Sequence, residues 1–169
     1  FLFEYFHFAL NGSDEKQSPN VEFISFDSRK ATKPEAEELN ISTGAPVFKI
    51  YNKLGLNKKF YIVDKIVISQ QKFPGLSEEI FKNRSNTIYN LYQNKYNIFI
   101  TNCSEKLKAI SADEKISSLL NIPLNAPILK INRVGQTYNN ETIELRTSYV
   151  HTSDIDYIHS QNSTFGESI

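Results

Sequence analysis

Charged side chains interrupt two apolar segments of this sequence that have the pattern of β-strands. Asp64 lies in the middle of YIVDKIVI, and Glu144 lies in a similar place in TIELRTSY. Arg146 is two residues beyond Glu144, so both side chains are expected on one face of a strand, and Arg133 lies on the segment expected to pair with it. Carboxylates and guanidinium groups gathered in one pocket would hydrogen-bond the hydroxyls or an anionic group of a small molecule.

A structural explanation of the same four residues stays open at this point. They could be solvent-facing members of amphipathic strands, joined in surface ion pairs that contribute little stability. Nothing in the set requires catalysis, so binding is the function that these residue types suggest.

Other chemically active side chains are scattered along the chain. His7, His151 and His159 have no spacing typical of metal ligands, and Cys103 and Ser104 have no nearby histidine that would make a nucleophile of either. A single cysteine also excludes an internal disulfide. We therefore expect no metal, no cofactor and no catalytic residue.

Length and composition are those of one globular domain. The chain has 169 residues, of which 40% are hydrophobic, and its 19 basic and 19 acidic residues cancel. No apolar run is long enough to span a membrane, and the neutral balance gives no electrostatic reason for direct nucleic-acid binding. We expect a single cytoplasmic domain over residues 1–169. Because it opens abruptly on FLFEYFHFAL and contains no Met, we also expect a piece of a longer protein.

A repeated segment organises the elements that must position these side chains. ELNISTGAPVFKIYNK and LLNIPLNAPILKINRV align without a gap 81 residues apart, with seven identities over the fifteen positions that start at Leu39 and Leu120. The identical Leu, Ile, Ala and Pro residues are expected to form the scaffold of a repeated unit. The alignment places Asn52 against Arg133.

The first half is predicted to form a strand, a short helix and a hairpin. Alternation from Val21 predicts the strand, and Pro34 followed by acidic residues predicts a helix that ends near Ile41. APVFKIYNKL and FYIVDKIVI then predict two strands joined by GLNKK.

The second half is predicted to repeat this plan after a helix in SNTIYNLYQNKYNI, for which Ser85 is the expected N-cap. A long strand, IFITNCSEKLKAI, precedes a second short helix, with Ser111 as its N-cap and Glu114 completing a capping box. APILKINRVGQTY and ETIELRTSYV predict the second hairpin. From His151 onward the periodicity is lost, and we expect the tail to fray.

Two such halves are expected to share one antiparallel sheet. The predicted fold class is therefore α+β, with about six strands flanked by helices and two internally similar halves. We expect the helices to cover one face of the sheet.

From about Val21 to Tyr157 the sequence resembles the UTRA domain, the effector-sensing C-terminal half of GntR-type bacterial transcription regulators of the HutC subfamily. The resemblance is carried by AEELNISTGAPVFKI, by KFPGL, by the run from TIYNLYQNKYNI to KINRV, and by NNETIELRTSYV. It lies in the order and spacing of these segments and in the double GAP/NAP turn.

The resemblance implies a fold similar to chorismate lyase, an antiparallel sheet flanked by helices. It also implies a homodimer whose DNA contacts belong to an N-terminal winged-helix domain absent from these 169 residues. Such domains bind a small effector, often a sugar phosphate or amino sugar phosphate and otherwise another metabolite. Binding repositions the DNA-binding heads and usually releases the operator.

Individual residues depart from the pattern of that family. Its members commonly carry Arg-x-Arg after the GAP turn, where this chain has Asn52 and Leu54, and Asp64 is shorter than the usual Glu. Arg133 and Glu144 keep the residues of the second half. The family's Ser/Thr-rich N-terminal segment, used in phosphate binding, is not recognisable here. These departures weaken the case for a phosphorylated effector and favour a neutral or differently charged one.

The sequence therefore predicts an effector-binding and dimerisation domain of a bacterial transcription regulator, expected to be a repressor and not an enzyme. The predicted effector-binding residues are Asn52, Asp64, Arg133, Glu144, Arg146 and Ser148. Two alternatives remain. One is a chorismate lyase-like enzyme, and the other is a structural dimerisation module whose pocket is filled by its own side chains, such as Tyr61 or Tyr149.

Overall fold

The computed structural model describes residues 5–13, 15 and 17–159, and within them the chain forms eight β-strands and four α-helices. The strands are β1 (Phe8–Leu10), β2 (Asn20–Lys30), β3 (Pro46–Leu56), β4 (Lys59–Ser69), β5 (Asn102–Ser111), β6 (Pro127–Gln136), β7 (Thr142–Val150) and β8 (Ile155–Tyr157). The helices are α1 (Lys33–Leu39), α2 (Glu78–Lys82), α3 (Ile88–Tyr96) and α4 (Glu114–Leu120).

Six strands form one sheet in the order β2-β3-β4-β7-β6-β5, and every neighbouring pair is antiparallel. The first half of the chain supplies β2, β3 and β4, and the second half supplies β5, β6 and β7. The halves join where β4 pairs with β7. This architecture confirms the predicted α+β class with an antiparallel sheet of six strands flanked by helices. A separate two-stranded sheet pairs β1 with β8.

Helices cover both faces of the sheet, whereas the sequence predicted one. Val63 and Val67 of β4 pack against α4 and α1 respectively. Ile66 and Ile68, on the opposite face of β4, belong to a cluster that includes side chains of α2 and α3. Because β4 lies in the middle of the sheet and is apolar on both sides, both of its faces must be covered.

The repeated segment forms the same local structure twice. Asn40 and Asn121 follow α1 and α4 as left-handed C-caps, with φ of 52° and 53°. The backbone N–H of Ala31 donates to the carbonyl of Ala45 at 2.8 Å, and Ala112 donates to Ala126 at 2.8 Å. The repeat therefore provides a scaffold common to the two halves, with its first Leu and second Ile buried and its Ala carbonyls accepting these bonds. The repeated Pro residues are exposed.

Two helix starts differ from the sequence-based expectation. The N-cap of α4 is Asp113, which accepts a hydrogen bond from the N–H of Ile116 at 2.9 Å, because Ser111 is still paired within β5. The N-cap of α3 is Thr87 instead of Ser85, so this helix begins two residues later than expected.

The expected fraying of the tail is wrong for Ile155–Tyr157. These residues form β8, and Ile155 is buried against Phe8 and Ile62. Pairing with β1 supplies the backbone hydrogen bonds that this short segment cannot provide alone. Residues 160–169 lie outside the described part of the chain.

No helix among the described residues is long and apolar enough to cross a membrane. The same residues contain no cluster of three or more His, Cys, Asp or Glu side chains that could hold a metal ion.

Candidate functional site

The register of the sheet gathers all six predicted site residues on one face, with Glu144 two residues before Arg146 on β7. Asn52, Asp64 and Ser148 lie opposite one another on β3, β4 and β7. Arg146 lies opposite Arg133 in the next row, on β7 and β6. Because directly opposed residues in antiparallel strands share a face, their side chains all point to the side of the sheet that carries α3 and the β1–β8 pair.

Asp64 is a buried carboxylate at the junction of the two halves, with only 3% of its surface exposed. The Ser148 hydroxyl donates to its Oδ1 atom at 2.5 Å, and the Nη1 atom of Arg146 lies 3.6 Å from Oδ2. Burial raises the pKa of Asp64, and the nearby Arg146 guanidinium and Ser148 hydroxyl only partly oppose this shift. The second carboxylate oxygen is therefore in an ionic contact but beyond hydrogen-bonding distance of Arg146.

Glu144 is fully buried and positions the guanidinium of Arg146. Arg146 donates from Nε to Oε1 at 2.7 Å and from Nη2 to Oε2 at 3.1 Å. The Tyr92 hydroxyl of α3 donates to Oε2 at 2.5 Å, and the Tyr89 hydroxyl donates to Oε1 at 3.3 Å. Burial alone would lower the pKa of Arg146, but the Glu144 carboxylate raises it well above its ordinary value. Burial also raises the pKa of both tyrosines, which keeps their hydroxyls protonated as donors.

Arg133 is held by a second carboxylate, Glu105, directly opposite it on β5. Arg133 donates from Nε to Glu105 Oε1 at 2.8 Å and also donates to the backbone carbonyl of Tyr5. Tyr157 donates to the other Glu105 oxygen at 2.8 Å; burial and this bond raise the pKa of Tyr157 to about 12. Burial acts to raise the pKa of Glu105, but Arg133 outweighs it and the net shift is downward. Arg133 and Arg146 are thus each ion-paired with a carboxylate.

A cavity of about 750 Å³ lies beside these groups, between the sheet, α3 and the N-terminal segment. Its floor contains five of the predicted residues: Asn52, Asp64, Arg133, Arg146 and Ser148. Aromatic rings form much of the wall, namely Tyr5, Phe6, Phe8, Phe23, Tyr89, Phe99 and Tyr157. The sixth predicted residue, Glu144, does not line the cavity. Glu144 instead positions Arg146 and is not itself on the cavity surface.

Asn52 is the exception among the polar groups of the floor. Its side chain is 1% exposed, and within the described residues neither its Nδ2 nor its Oδ1 atom has a hydrogen-bond partner. A buried polar group left unsatisfied costs about 1–3 kcal/mol. Among the described residues, the donor and the acceptor of the Asn52 amide are therefore both unused.

The rim of the cavity carries a further guanidinium, that of Arg84. Its Nη1 atom donates to the carbonyl of Phe81 at 2.7 Å, and the group stacks 4.4 Å from the centre of the Phe81 ring. Burial lowers the pKa of Arg84. In residues 5–13, 15 and 17–159 no carboxylate lies within ion-pair distance of it.

Sequence reasoning missed the partners that hold the arginines. Glu105 could have been found from its strand, because the repeated turn at Ala112 and Ala126 fixes the register that sets it against Arg133. Tyr92 lies in the predicted helix SNTIYNLYQNKYNI, where nothing local marks it as a partner of Glu144. No local signal connects Tyr5 with Arg133, since 128 residues separate them.

The arrangement is suited to binding. The Asp64, Glu105 and Glu144 carboxylates each contact a guanidinium, so they act as fixed hydrogen-bonding and ionic partners. Cys103 lies 3.7 Å from the Tyr89 hydroxyl, and burial raises the pKa of its thiol, which disfavours the nucleophilic thiolate.

Side chains that could have filled the pocket lie elsewhere. Tyr149 packs on the opposite face of the sheet with Val63 and α4. Tyr61 packs with Phe8 and Leu56 and donates to Asp154. Neither tyrosine lines the cavity.

Comparisons with solved structures show the same fold in regulator domains. The chain superposes on the ligand-binding domain of a Bordetella bronchiseptica protein assigned to the GntR family of transcriptional regulators, with a TM-score of 0.91 and 22% identity over 96% of this chain and 100% of that one. It superposes on the effector domain of PhnF from Mycobacterium smegmatis with a TM-score of 0.72 and 19% identity, over 80% of this chain and 82% of that one. A structure of PhnF itself matches with a TM-score of 0.77 and 18% identity, over 86% of this chain but only 64% of that one.

A comparison with curated proteins gives no match. The family model of the UTRA domain matches residues 14–156, which is most of the sequence. The chain belongs to the UTRA domain family.

Proposed function

We propose that this chain is the effector-binding and regulatory domain of a bacterial GntR-type transcription regulator, and that its effector binds in the cavity beneath α3. The observation that carries the proposal is a cavity of about 750 Å³ with a polar floor and an aromatic wall. Small-molecule sites typically have volumes of about 300–1,000 Å³, with mostly apolar linings and a few placed polar groups. Membership of the UTRA family and the effector and ligand-binding domains among its structural neighbours support the same function.

The floor residues are proposed to contact the effector directly. Asn52, Asp64 and Ser148 would supply hydrogen bonds, and Arg133 and Arg146 would supply further donors from guanidinium groups fixed by their carboxylates. Glu144 and Glu105 would act through the arginines that they hold. Because these side chains come from both halves of the sheet, an effector would bridge the junction of β4 and β7.

Regulation is proposed to work through linkage in a homodimer. An effector that favours one arrangement of the two subunits would shift a DNA-binding domain carried by the same polypeptide, with a coupling typically of about 1–3 kcal/mol that acts equally on effector and operator affinity. The contact of Arg133 with the Tyr5 carbonyl gives a route, since it joins the cavity floor to the N-terminal segment. We propose release of operator DNA in the cytoplasm as the outcome.

Binding is proposed in preference to catalysis. The matched structures are those of regulators and their effector or ligand-binding domains. The carboxylates near the floor are engaged with arginines, which leaves no isolated acid–base pair among the described residues to argue for a lyase.

A calorimetric titration tests the site. A panel of sugars, sugar phosphates and amino acids is first screened by thermal shift, where a ligand at about 100 times its dissociation constant should stabilise by roughly 2.7 kcal/mol. The best compound is then titrated into the Ser148→Ala and Thr147→Ala variants. These neighbouring residues point to opposite faces of β7, so Thr147→Ala is a matched control.

We expect Ser148→Ala to weaken binding by about 5- to 20-fold, the equivalent of about 1–2 kcal/mol, because a hydrogen bond near a charged group is lost. Thr147→Ala should leave the affinity unchanged. Equal effects of the two substitutions would place the effector elsewhere. If no compound of any charge stabilised the protein, a structural dimerisation module would be the better explanation.

A further inference from the structure

The outermost strand of the second half, β5, has a free edge in the described part of the chain. It pairs with β6 on one side, and no other described strand pairs with it on the other. Its residues from Lys106 to Ala109 are all exposed, whereas those from Phe23 to Phe26 of β2, at the opposite edge of the sheet, are half-buried. An unpaired strand edge is a template on which another extended segment can add.

On the cavity side of the sheet, this free edge is apolar and uncovered. Leu107 is 46% exposed. It pairs with Ile131 of β6 as Phe26 pairs with Ile50 of β3, 81 positions earlier, so Phe26 is its equivalent in the first half. The Phe26 ring is covered by α2, with 6.0 Å between its centre and that of Phe81. Within the described residues, the second half therefore lacks the cover that α2 gives to the first half.

The other side of β5 is basic. Lys106 and Lys108 point to the side of the sheet that carries α4, and Lys108 lies directly opposite Lys130 of β6. Among the described residues, no carboxylate lies within ion-pair distance of any of these three lysines. Like charges directly opposite each other in antiparallel strands are destabilising. The outer side of β5 and β6 therefore carries an uncompensated positive charge.

The first half holds the equivalent pair of positions with opposite charges. Lys49, which the repeat aligns with Lys130, lies opposite Asp27 of β2, so Asp27 corresponds to Lys108. The same architecture thus accommodates a complementary pair in one half and a repulsive pair in the other. Acidic groups supplied from outside the domain would remove the repulsion in the second half.

These charges also determine which kind of strand can add to the edge. Two β5 strands paired antiparallel through the exposed run Lys106–Ala109 would bring the lysines of both chains together, which is unfavourable. A segment that alternates acidic and apolar residues has the opposite property. Its acidic side chains would all lie on the lysine side, and its apolar side chains would all lie on the side of Leu107.

We propose that the free edge of β5 is a docking surface for an extended segment of another protein in which acidic and apolar residues alternate. Backbone hydrogen bonds to β5 give this segment its register. Its acidic side chains lie beside Lys106, Lys108 and Lys130, and its apolar side chains pack on Leu107 and Ala109. The surface lies outside the effector cavity, so the inference goes beyond the proposed function.

The first experiment offers this chain three synthetic peptides with acetylated and amidated ends. TEVEVEVT alternates acidic and apolar residues, TEEEVVVT has the same composition without the alternation, and TKVKVKVT carries the opposite charge. In NMR titrations we expect TEVEVEVT to bind at least tenfold more tightly than the other two and to slow hydrogen exchange at the β5 amides that point away from β6. No binding of TEVEVEVT, or equal binding of TEEEVVVT, would overturn the inference.

Charge-reversal variants locate the binding surface. The double substitution Lys106→Glu with Lys108→Glu should weaken TEVEVEVT tenfold or more and allow TKVKVKVT to bind. Lys30→Glu with Lys58→Glu is the matched control, because it changes the net charge equally at two exposed lysines outside β5. Equal weakening in the two double variants would show a general effect of charge and would overturn the assignment to β5.

Other occupants of the edge give different results. A dimer in sedimentation experiments that Leu107→Lys dissociates would show that a second copy occupies β5. Tighter binding of a short random DNA duplex than of TEVEVEVT, lost in the Lys106→Glu and Lys108→Glu double variant, would show a nucleic-acid surface. Either result would overturn the assignment to an acidic strand.

The repulsive pair is tested without any peptide. Lys108→Glu places opposite charges across β5 and β6, so its melting temperature should rise by about 1–4 °C relative to the wild type. Lys30→Glu, at an exposed site on the other edge strand, should leave the melting temperature unchanged within about 1 °C. Absence of a rise for Lys108→Glu, or an equal rise for Lys30→Glu, would remove the charge argument and overturn the inference.

Discussion

Asn52 and Arg133 occupy equivalent positions in the two copies of the repeated segment, yet their surroundings are opposite. Arg133 lies across from Glu105 and is bonded to it and to the Tyr5 carbonyl. Asn52 lies across from Phe23 and Asp64 and has no hydrogen bond among the described residues. The arginines of the second half are thus ion-paired, with Asp64 of the first half as a further partner of Arg146, while Asn52 of the first half has no hydrogen bond among the described residues.

This difference separates two functions of one duplicated unit. The helix, turn and strand of each copy share the same caps and backbone hydrogen bonds, which provide the scaffold. The side chains that point into the cavity differ between the copies, with an ion-paired Arg133 in one and an unpaired Asn52 in the other. Substitutions in the two halves should therefore have different effects on stability.

The largest effect is expected from Glu144→Ala in the second half. The substitution leaves Arg146 buried with only the more distant Asp64 as a partner, and breaking a buried pair on one side typically costs about 3–5 kcal/mol. Urea denaturation measures the loss, with Glu141→Ala as the control because Glu141 is an exposed partner of Lys72. A loss below about 1 kcal/mol would show that Glu144 does not organise the floor.

A smaller effect, with a diagnostic pH dependence, is expected from Glu105→Gln. Arg133 lowers the pKa of Glu105 against the effect of burial, so the stabilisation is present above the ordinary pKa of a glutamate and is lost as the pH falls through the folded-state pKa. The substitution should therefore lower the free energy of unfolding most near pH 7, by about 1.5–3 kcal/mol, which is typical of a hydrogen bond to a charged group. In acid the loss should be small.

Asp64→Asn, in the first half, should change the pH dependence of stability in the opposite direction. Burial raises the pKa of Asp64, so the stabilisation of its neutral form is present below the ordinary pKa of an aspartate and is lost as the pH rises through the folded-state pKa. Relative to the wild type, Asp64→Asn should gain stability as the pH rises above the ordinary pKa of an aspartate, in the same denaturation series. If both variants showed the same pH trend, the contrast between the halves would be wrong.

The smallest effects are expected in the scaffold, and they should be equal. Asn40→Ala and Asn121→Ala each place a residue with a Cβ and no local hydrogen-bonding group in the left-handed region, which costs about 1 kcal/mol. Thermal unfolding of the two variants should differ by no more than about 0.5 kcal/mol, within the usual context dependence of such effects. A large difference would mean that the repeat is conserved in sequence but not in its contribution to stability.

The sequence predicted the sheet, the two hairpins and the gathering of the charged residues, because strand periodicity and the 81-residue repeat are local signals. The same repeat could have corrected one helix start, since Thr32 caps α1 and the residue aligned with it is Asp113. What stayed out of reach depends on long-range register. The bond from Arg133 to Tyr5 and the bond from Tyr92 to Glu144 join segments that no local pattern connects.

The position of Glu144 relative to the cavity shows the same limit. Its spacing from Arg146 placed both side chains on one face, and the contact between them agrees with that expectation. The α3 helix then covers the Glu144 end of the strand, so the carboxylate contacts Tyr92 and not the open space. Alternation along a strand identifies a face, but only the packing of the neighbouring helix decides which part of that face remains open.

The most direct test of the central claim is a crystal structure of this chain with the compound that gives the largest thermal shift. Our account predicts electron density for the ligand in the cavity, with oxygen atoms within about 3.2 Å of the Asn52 amide and of Asp64 Oδ2, and with the ion pairs from Arg146 to Glu144 and from Arg133 to Glu105 preserved. Density outside this cavity, or an anionic group that separates either arginine from its carboxylate, would contradict it.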